Sequence, residues 1–307
     1  MPLPVALILQ TVPTTLTAHS ERCRRAPFCI RRKGTKHLIF CPVSANLILY
    51  RNAIQGRCRG SRADGTDRGF MTMRTILIGD IHGCNNALVA LLDKVNPTGK
   101  DTLVLLGDLF DRGPDSWEVL QTVQELAETY GDRFVLLRGN HEDYLLAEKL
   151  SLSEKMVWNR VGRGATVKSF KAHRERMEDS IPWLRENCRL WWKGDGVQAV
   201  HAGLEKDPPE ENDVHTLLHD HGIVLRNGYD GPLTVVGHIA LDCPTWFAGD
   251  GKTREHLQPG EWQPLPERGI ICIDTGCGKG GLLTAMIIED GRFRLECVFE
   301  SERGSRR

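Results

Sequence analysis

The chain runs to 307 residues with 40% hydrophobic and 26% charged residues, a balance that excludes wholesale disorder. No apolar run approaches the roughly 20 residues that cross a bilayer, Val5 to Leu9 being far shorter, so no membrane span is expected. Equal totals of 40 basic and 40 acidic residues hide an asymmetry: residues 1–72 hold 12 basic and 3 acidic residues (+9), and residues 73–307 hold 28 and 37 (−9). An acidic body argues against a nucleic-acid surface on the main domain.

Residues 1–72 lack the periodicity of a packed domain and the charged start of a secretory signal. We read them as a basic N-terminal extension, either disordered or an artefact of a start truly placed at Met71 or Met73, ahead of an organellar transit peptide. The ten cysteines form no C-x-x-C pair, which favours reduced thiols and a cytoplasmic location over a zinc ribbon or a disulfide framework.

From residue 73 a clear alternation begins. Thr75 to Ile78 is a short β-branched and apolar run ending in Gly79, and 85–94 places Ala87, Leu88, Leu91 and Leu92 on one helical face. Thr102 to Leu106 repeats the strand, and 115–129 follows as a helix behind Pro114, with Trp117, Leu120, Val123 and Leu126 spaced for burial. Arg133 to Leu137 is a third strand and 142–150 a third helix. Strands alternating with helices predict an α/β sheet. Later strands, near 197–200, 233–236, 270–273, 282–288 and 293–298, mostly lack intervening helices, which predicts partly antiparallel pairing.

The chemistry sits where strands end. Gly79-Asp80-Ile81-His82-Gly83, Gly107-Asp108-Leu109-Phe110-Asp111-Arg112-Gly113 and Arg138-Gly139-Asn140-His141-Glu142 follow the first three strands, and His201 and Gly237-His238 follow two later ones. Carboxyl ends of strands in such a sheet open onto one crevice, which would gather Asp80, His82, Asp108 and Asn140. Taken singly, Asp and Asn beside Gly are turn residues; together at consecutive strand ends they predict a metal site. Oxygen and imidazole ligands suit borderline divalent ions such as Mn, Fe, Zn or Co, and Asp108 could bridge two ions roughly 3.5 to 4 Å apart. Two such ions beside Arg112 and Arg138 predict an anionic substrate, phosphate above all.

These five motifs, in this order, resemble the calcineurin-like metallophosphoesterase superfamily over roughly residues 74–299. Arg112-Gly113 and Leu137-Arg138 are similar to its phosphoprotein phosphatase branch, which takes in bacterial and phage serine/threonine protein phosphatases and symmetrical diadenosine tetraphosphatases. The resemblance implies a mixed β-sandwich flanked by helices in a catalytic domain spanning 73–300, a small helical cap at 151–196 and a tail at 301–307. It implies two divalent ions, Mn first with Fe, Zn, Co or Ni as alternatives. Asp80, His82, Asp108 and His238 would hold one ion and Asp108, Asn140 and His201 the other, with a hydroxide bridging both for in-line attack.

His141 would then protonate the leaving oxygen, Asp111 would orient it, and Arg112, Arg138 and Arg226 would grip the phosphate. The implied substrate is a phosphate monoester, phosphoserine or phosphothreonine in proteins first. A symmetrical bis(5'-nucleosyl)-tetraphosphate hydrolase is the alternative, and a non-catalytic scaffold on the same fold the second. Partners are thus a phosphoprotein or small phosphoester, with no nucleic acid or membrane and no oligomeric state assigned. Ile239 departs from the pattern, standing where the family usually has Thr. The loop at 240–268, with Trp246, Phe247 and Trp262, is expected as a lid or substrate wall. Trp158, Trp183, Trp191 and Trp192 are expected to pack, His215, His219 and His221 to line an exposed polar face, and Cys277 to fill space.

Overall fold

The computed structural model describes residues 73–194 and 196–301, so the expectations for 1–72 and for the tail lie outside the described residues. Two sheets form the frame. The first has the strand order β10-β13-β12-β1-β2-β3-β4 and the second β5-β6-β7-β11-β8-β9. In chain order the first-sheet strands are β1 (Thr75–Ile78), β2 (Thr102–Leu105), β3 (Phe134–Leu137), β4 (Cys188–Arg189), β10 (Gln263–Pro264), β12 (Leu282–Glu289) and β13 (Arg292–Phe299). The second sheet uses β5 (Trp191–Gly194), β6 (Val197–Val200), β7 (Thr234–Val236), β8 (Thr245–Phe247), β9 (Arg254–His256) and β11 (Ile270–Cys272).

Period-two alternation decides which layer each side chain joins. Leu77, Val104, Val135 and Leu137 meet Ala199, Val235 and Ile271 in a core between the sheets. Ile76, Ile78, Leu103, Leu105 and Leu136 point the other way, onto the helices. Val200, Val236, Ile270 and Cys272 carry the outer face of the second sheet against Leu217 and Ile223. Both faces of the central strands are covered, which is why they read as continuous apolar runs. Pairing is parallel along β1-β2-β3-β4 and β6-β7-β11, and antiparallel at β1-β12, β12-β13, β5-β6, β11-β8 and β8-β9. The expected mixed sandwich flanked by helices is the observed architecture.

The helices are α1 (Asn85–Val95), α2 (Ser116–Tyr130), α3 (Asn140–Leu146), α4 (Leu152–Arg160), α5 (Arg163–Ala172), α6 (Ile181–Asn187) and α7 (Val214–His219). On α1, Ala87, Leu88, Leu91 and Leu92 are buried, as their spacing predicts. Among the described residues no helix is long and apolar enough to cross a membrane.

Two expectations need correction. The helical part of 151–196 ends at Asn187, because β4 and β5 then join the first and second sheets and Trp191 and Trp192 ride on β5. The 240–268 segment is not loop throughout: it supplies β8 and β9 at the far edge of the second sheet and β10 at the edge of the first. Trp246 pairs with Ile271 across β8-β11, and Trp262 lies under the Arg294 guanidinium.

Candidate metal centre

Five strand ends deliver the cluster. Asp80 and His82 follow β1, Asp108 follows β2, Asn140 opens α3 just after β3, His201 follows β6 and His238 follows β7. The backbone is strained where these residues turn inward. His82, Asp108, Asp111, Arg112 and His238 all take positive φ, between 47° and 70°, a conformation costing a non-glycine residue of order 1 kcal/mol or more. Close approach adds a second constraint: a Cβ on Gly139 would run into the Asp108 carboxylate, and one on Gly237 into that of Asp80.

Asp108 sits at the middle. Its Oδ1 lies 3.5 Å from His201 Nε2 and its Oδ2 3.5 Å from His82 Nε2, and the His141 amide donates to Oδ1 at 3.0 Å. Burial opposes its ionisation, but His201, His141 and His82 outweigh that and hold the carboxyl well below the usual range. Asp80, pressed by burial and then by Asp274 and Asp108, is pushed the other way.

The histidines present bare nitrogens to the cluster. His82 Nδ1 donates to the Phe110 carbonyl and His201 Nδ1 to the Leu106 carbonyl, both at 2.8 Å, and burial lowers both pKa values. Each neutral ring therefore turns an Nε2 lone pair toward acidic oxygens. Asn140 Oδ1 lies 3.1 Å from His201 Nε2 and 3.0 Å from His238 Nδ1. Burial and the adjacent His201 push His238 down to about 2, and its buried Nε2 has no partner among the described residues. Lone pairs converging from imidazole, amide and carboxylate are what a divalent cation satisfies, so the residues fit the metal reading.

Asp108, His201 and His238 bring their ligand atoms within 4.8 Å of one another, so His238 groups with His201 and Asn140 rather than with His82. It still touches the first set, its amide donating to Asp80 Oδ2 at 3.0 Å.

On the other side of Asp108 stands His141. Its Nδ1 lies 2.6 Å from Asp111 Oδ2, and its Nε2 lies 3.8 Å from Asp108 Oδ2. Burial lowers its basicity, but Asp108 and the hydrogen-bonded Asp111 more than restore it, so the ring holds a proton above its ordinary range. Arg112 reaches both His82 Nε2 and, at 3.5 Å, His141 Nε2. Arg138 turns instead to Asp143 and borders a cavity of about 280 Å3 with Leu146, Glu148, Leu184, Arg185 and Cys188. Arg226 is exposed, and no hydrogen bond ties it to the cluster among the described residues.

Several residues that hold or border the cluster escape a reading of the sequence. Trp158 Nε1 donates to Asp111 Oδ2 at 2.7 Å, and Thr166 Oγ1 donates to Asp111 Oδ1 at 2.6 Å while accepting from the Asp111 amide at 2.8 Å. Trp158 is thus more than packing. Glu142 accepts from the amides of Asp108 and Leu109, both at 2.8 Å, and of Gly139 at 3.0 Å, tying two site loops together; burial pushes it up to about 7. Asp274 is a further buried carboxylate, raised by burial, with Oδ2 unpartnered among the described residues. His219 and His221 are not merely a polar face. His219 Nε2 lies 3.5 Å from Asp143, and the His221 ring lies 4.4 Å from that of His238.

The strand ends of a two-layer sheet sandwich thus converge on carboxylates, an amide and imidazoles, a donor set able to hold divalent ions. The chain belongs to the calcineurin-like phosphoesterase family, whose model matches residues 73–271. Among its relatives are proteins named symmetrical bis(5'-nucleosyl)-tetraphosphatase from Cronobacter sakazakii (strain ATCC BAA-894) and Enterobacter sp. (strain 638). They are 31% and 30% identical over 271 and 277 residues, covering 71% and 73% of this chain and 92% and 94% of theirs. A solved metallophosphoesterase from Sphaerobacter thermophilus matches with a TM-score of 0.51 and 21% identity, over 74% of this chain and 88% of that one, a likeness of fold.

Proposed function

We propose that the protein hydrolyses the central phosphoanhydride of a bis(5'-nucleosyl) tetraphosphate, releasing two nucleoside diphosphates. The observation that carries the reading is the extent of the match: relatives bearing that activity in their names align over 92% and 94% of their length. Asp80, His82 and Asp108 would hold one divalent ion and Asp108, Asn140, His201 and His238 a second, with Mn the first candidate. Such ions, when bound, neutralise phosphoryl oxygens and supply an ionised water near neutral pH.

The chain's own residues do the rest. Arg112, lying between His82 and His141, meets the phosphoryl oxygens. The bond from the attacked phosphorus to the bridging oxygen breaks, and that oxygen takes the His141 Nε2 proton while Asp111 steadies the ring through Nδ1. Arg138 and Arg226 grip the remaining phosphates only if they swing inward from their present places.

One observation favours a second reading, phosphoserine or phosphothreonine hydrolysis. A diphosphate gains less from a proton, since its terminal phosphate has a pKa of about 6, than a serine alkoxide does; an acid held by Asp111, Trp158 and Thr166 matters most for the alkoxide. The test is a side-by-side measurement of kcat/KM on diadenosine tetraphosphate and on phosphoserine and phosphothreonine peptides in added Mn. A nucleotide preference of tenfold or more, about 1.4 kcal/mol in transition-state binding, supports the first reading; a reversed ratio assigns the enzyme to phosphoproteins.

A further inference from the structure

A row of rings leads out of the catalytic centre on the leaving-group side. His82 meets His141 edge to face at 4.7 Å, His141 meets Tyr144 at 6.3 Å, Tyr144 meets His219 at 6.1 Å, and His219 stacks on His215 at 5.0 Å. The row starts buried and ends exposed: His141 is buried, Tyr144 and His219 are half-buried, and His215 is exposed. Helix periodicity sets its first step, because Tyr144 lies three residues after His141 on α3 and so shares its face. Tyr144 is backed by Trp158 at 5.9 Å, the residue that also holds Asp111. His219 is fixed by Asp143, which Arg138 also grips.

None of this is needed to break a phosphoester. Protonating a leaving oxygen requires His141 and the groups that hold Asp111, and although Tyr144 packs one side against the core, the row goes on through half-buried His219 to exposed His215. Resting on the nucleotide reading above, we propose that Tyr144 and His219 form the surface on which the base of the departing nucleoside diphosphate lies. The departing group must exit past His141, the residue that protonates it, and the next surfaces in that direction are these rings. Aromatic faces accept any base, purines most strongly, and Arg138, held on the same Asp143 as His219, would meet the phosphates of that product on swinging inward.

The test uses the full-length enzyme loaded with Mn, p-nitrophenyl phosphate as reporter substrate, and ADP and pyrophosphate as competing probes. In the wild type ADP should inhibit at least about tenfold more strongly than pyrophosphate, the gain expected from stacking one base. Tyr144→Leu should close most of that gap and lower the ratio of kcat/KM on diadenosine tetraphosphate to that on p-nitrophenyl phosphate about tenfold, with Tyr144→Phe restoring both. His215→Ala, at an exposed position that the core does not need, should weaken ADP inhibition by about threefold, which keeps the test decisive if Tyr144→Leu folds poorly. An unchanged gap in Tyr144→Leu and His215→Ala, or no gap in the wild type, overturns the ring platform while leaving the nucleotide activity standing. A wild type that prefers ADP yet leaves diadenosine tetraphosphate intact overturns the nucleotide activity and keeps the platform.

Discussion

On one side of the site Asp80, Asp108, Asn140, His201 and His238 stand on five strand ends of two packed sheets, and the bonds that aim them run to backbone: His82 to Phe110, His201 to Leu106, Asp108 from His141. On the other side His141 and Asp111 depend on Trp158 and Thr166, side chains from α4 and α5, which lie outside the sheets. The difference teaches where change is tolerated. A side chain aimed by sheet backbone cannot move without moving a strand, whereas an imidazole–carboxylate pair steadied by inserted helices can be retuned by one substitution there. Asp108 and Glu142 belong to both sides and couple them, Glu142 by clamping the loops after β2 and β3.

The largest effect should come from breaking the shared residue. Asp108→Asn is expected to lower turnover by more than about 10³-fold and to reduce bound metal, measured by elemental analysis beside the rate. Two metals per chain with a near-normal rate would refute a bridging Asp108.

A smaller loss, confined to one side, is expected of His141→Asn. Metal content should hold while the rate on phosphoserine falls by roughly 10² to 10⁴, and the fall on p-nitrophenyl phosphate, whose leaving group barely needs a proton, should be much less. Equal losses on both substrates would make His141 an orienting residue instead.

Asp111→Asn sharpens the comparison by pH. With Asp111 present the imidazole keeps its proton above its ordinary range, so the acid form persists to higher pH. Removing that negative charge lowers the His141 pKa, and the basic limb of the kcat profile should move to lower pH. Trp158→Phe, which removes one of Asp111's hydrogen bonds, should move the limb less and cost about tenfold in rate or more, in line with the roughly 1.5 to 3 kcal/mol of a hydrogen bond to a charged group. A limb that stays put in both variants would detach Asp111 from the acid.

The smallest catalytic effect belongs to Glu142→Gln. Its one remaining carbonyl oxygen cannot serve all three amides as well as a carboxylate, so at least one buried N–H loses a partner at a cost of about 1 to 3 kcal/mol, visible as a lower Tm without a change in substrate preference. An unaltered Tm would mean that the loops are held elsewhere.

Most of the frame was legible because its information is local. Apolar runs at 75–78, 102–105 and 134–137 set the strands, the spacing of Leu88, Leu91 and Leu92 set a helix, and Gly-Asp and Asn-His pairs at strand ends marked the loops that converge. Sheet physics then required those loops to share one crevice. What the sequence alone could not hold is what depends on distance along the chain. Trp158 and Thr166 lie 47 and 55 residues from the carboxylate they hold, so nothing in their own neighbourhoods marks them. Strands β8 and β9 look like loop in the sequence because each is three residues long and β9, Arg254–His256, is wholly exposed, leaving no alternation to detect. Left-handed backbone at Asp108, Asp111 and His238 leaves no signature in non-glycine residues, since the strain is maintained by surrounding contacts and not by local preference. The place of His238 beside His201 and Asn140, rather than beside His82, likewise follows from how β6 and β7 pair in the second sheet, which only the folded chain decides.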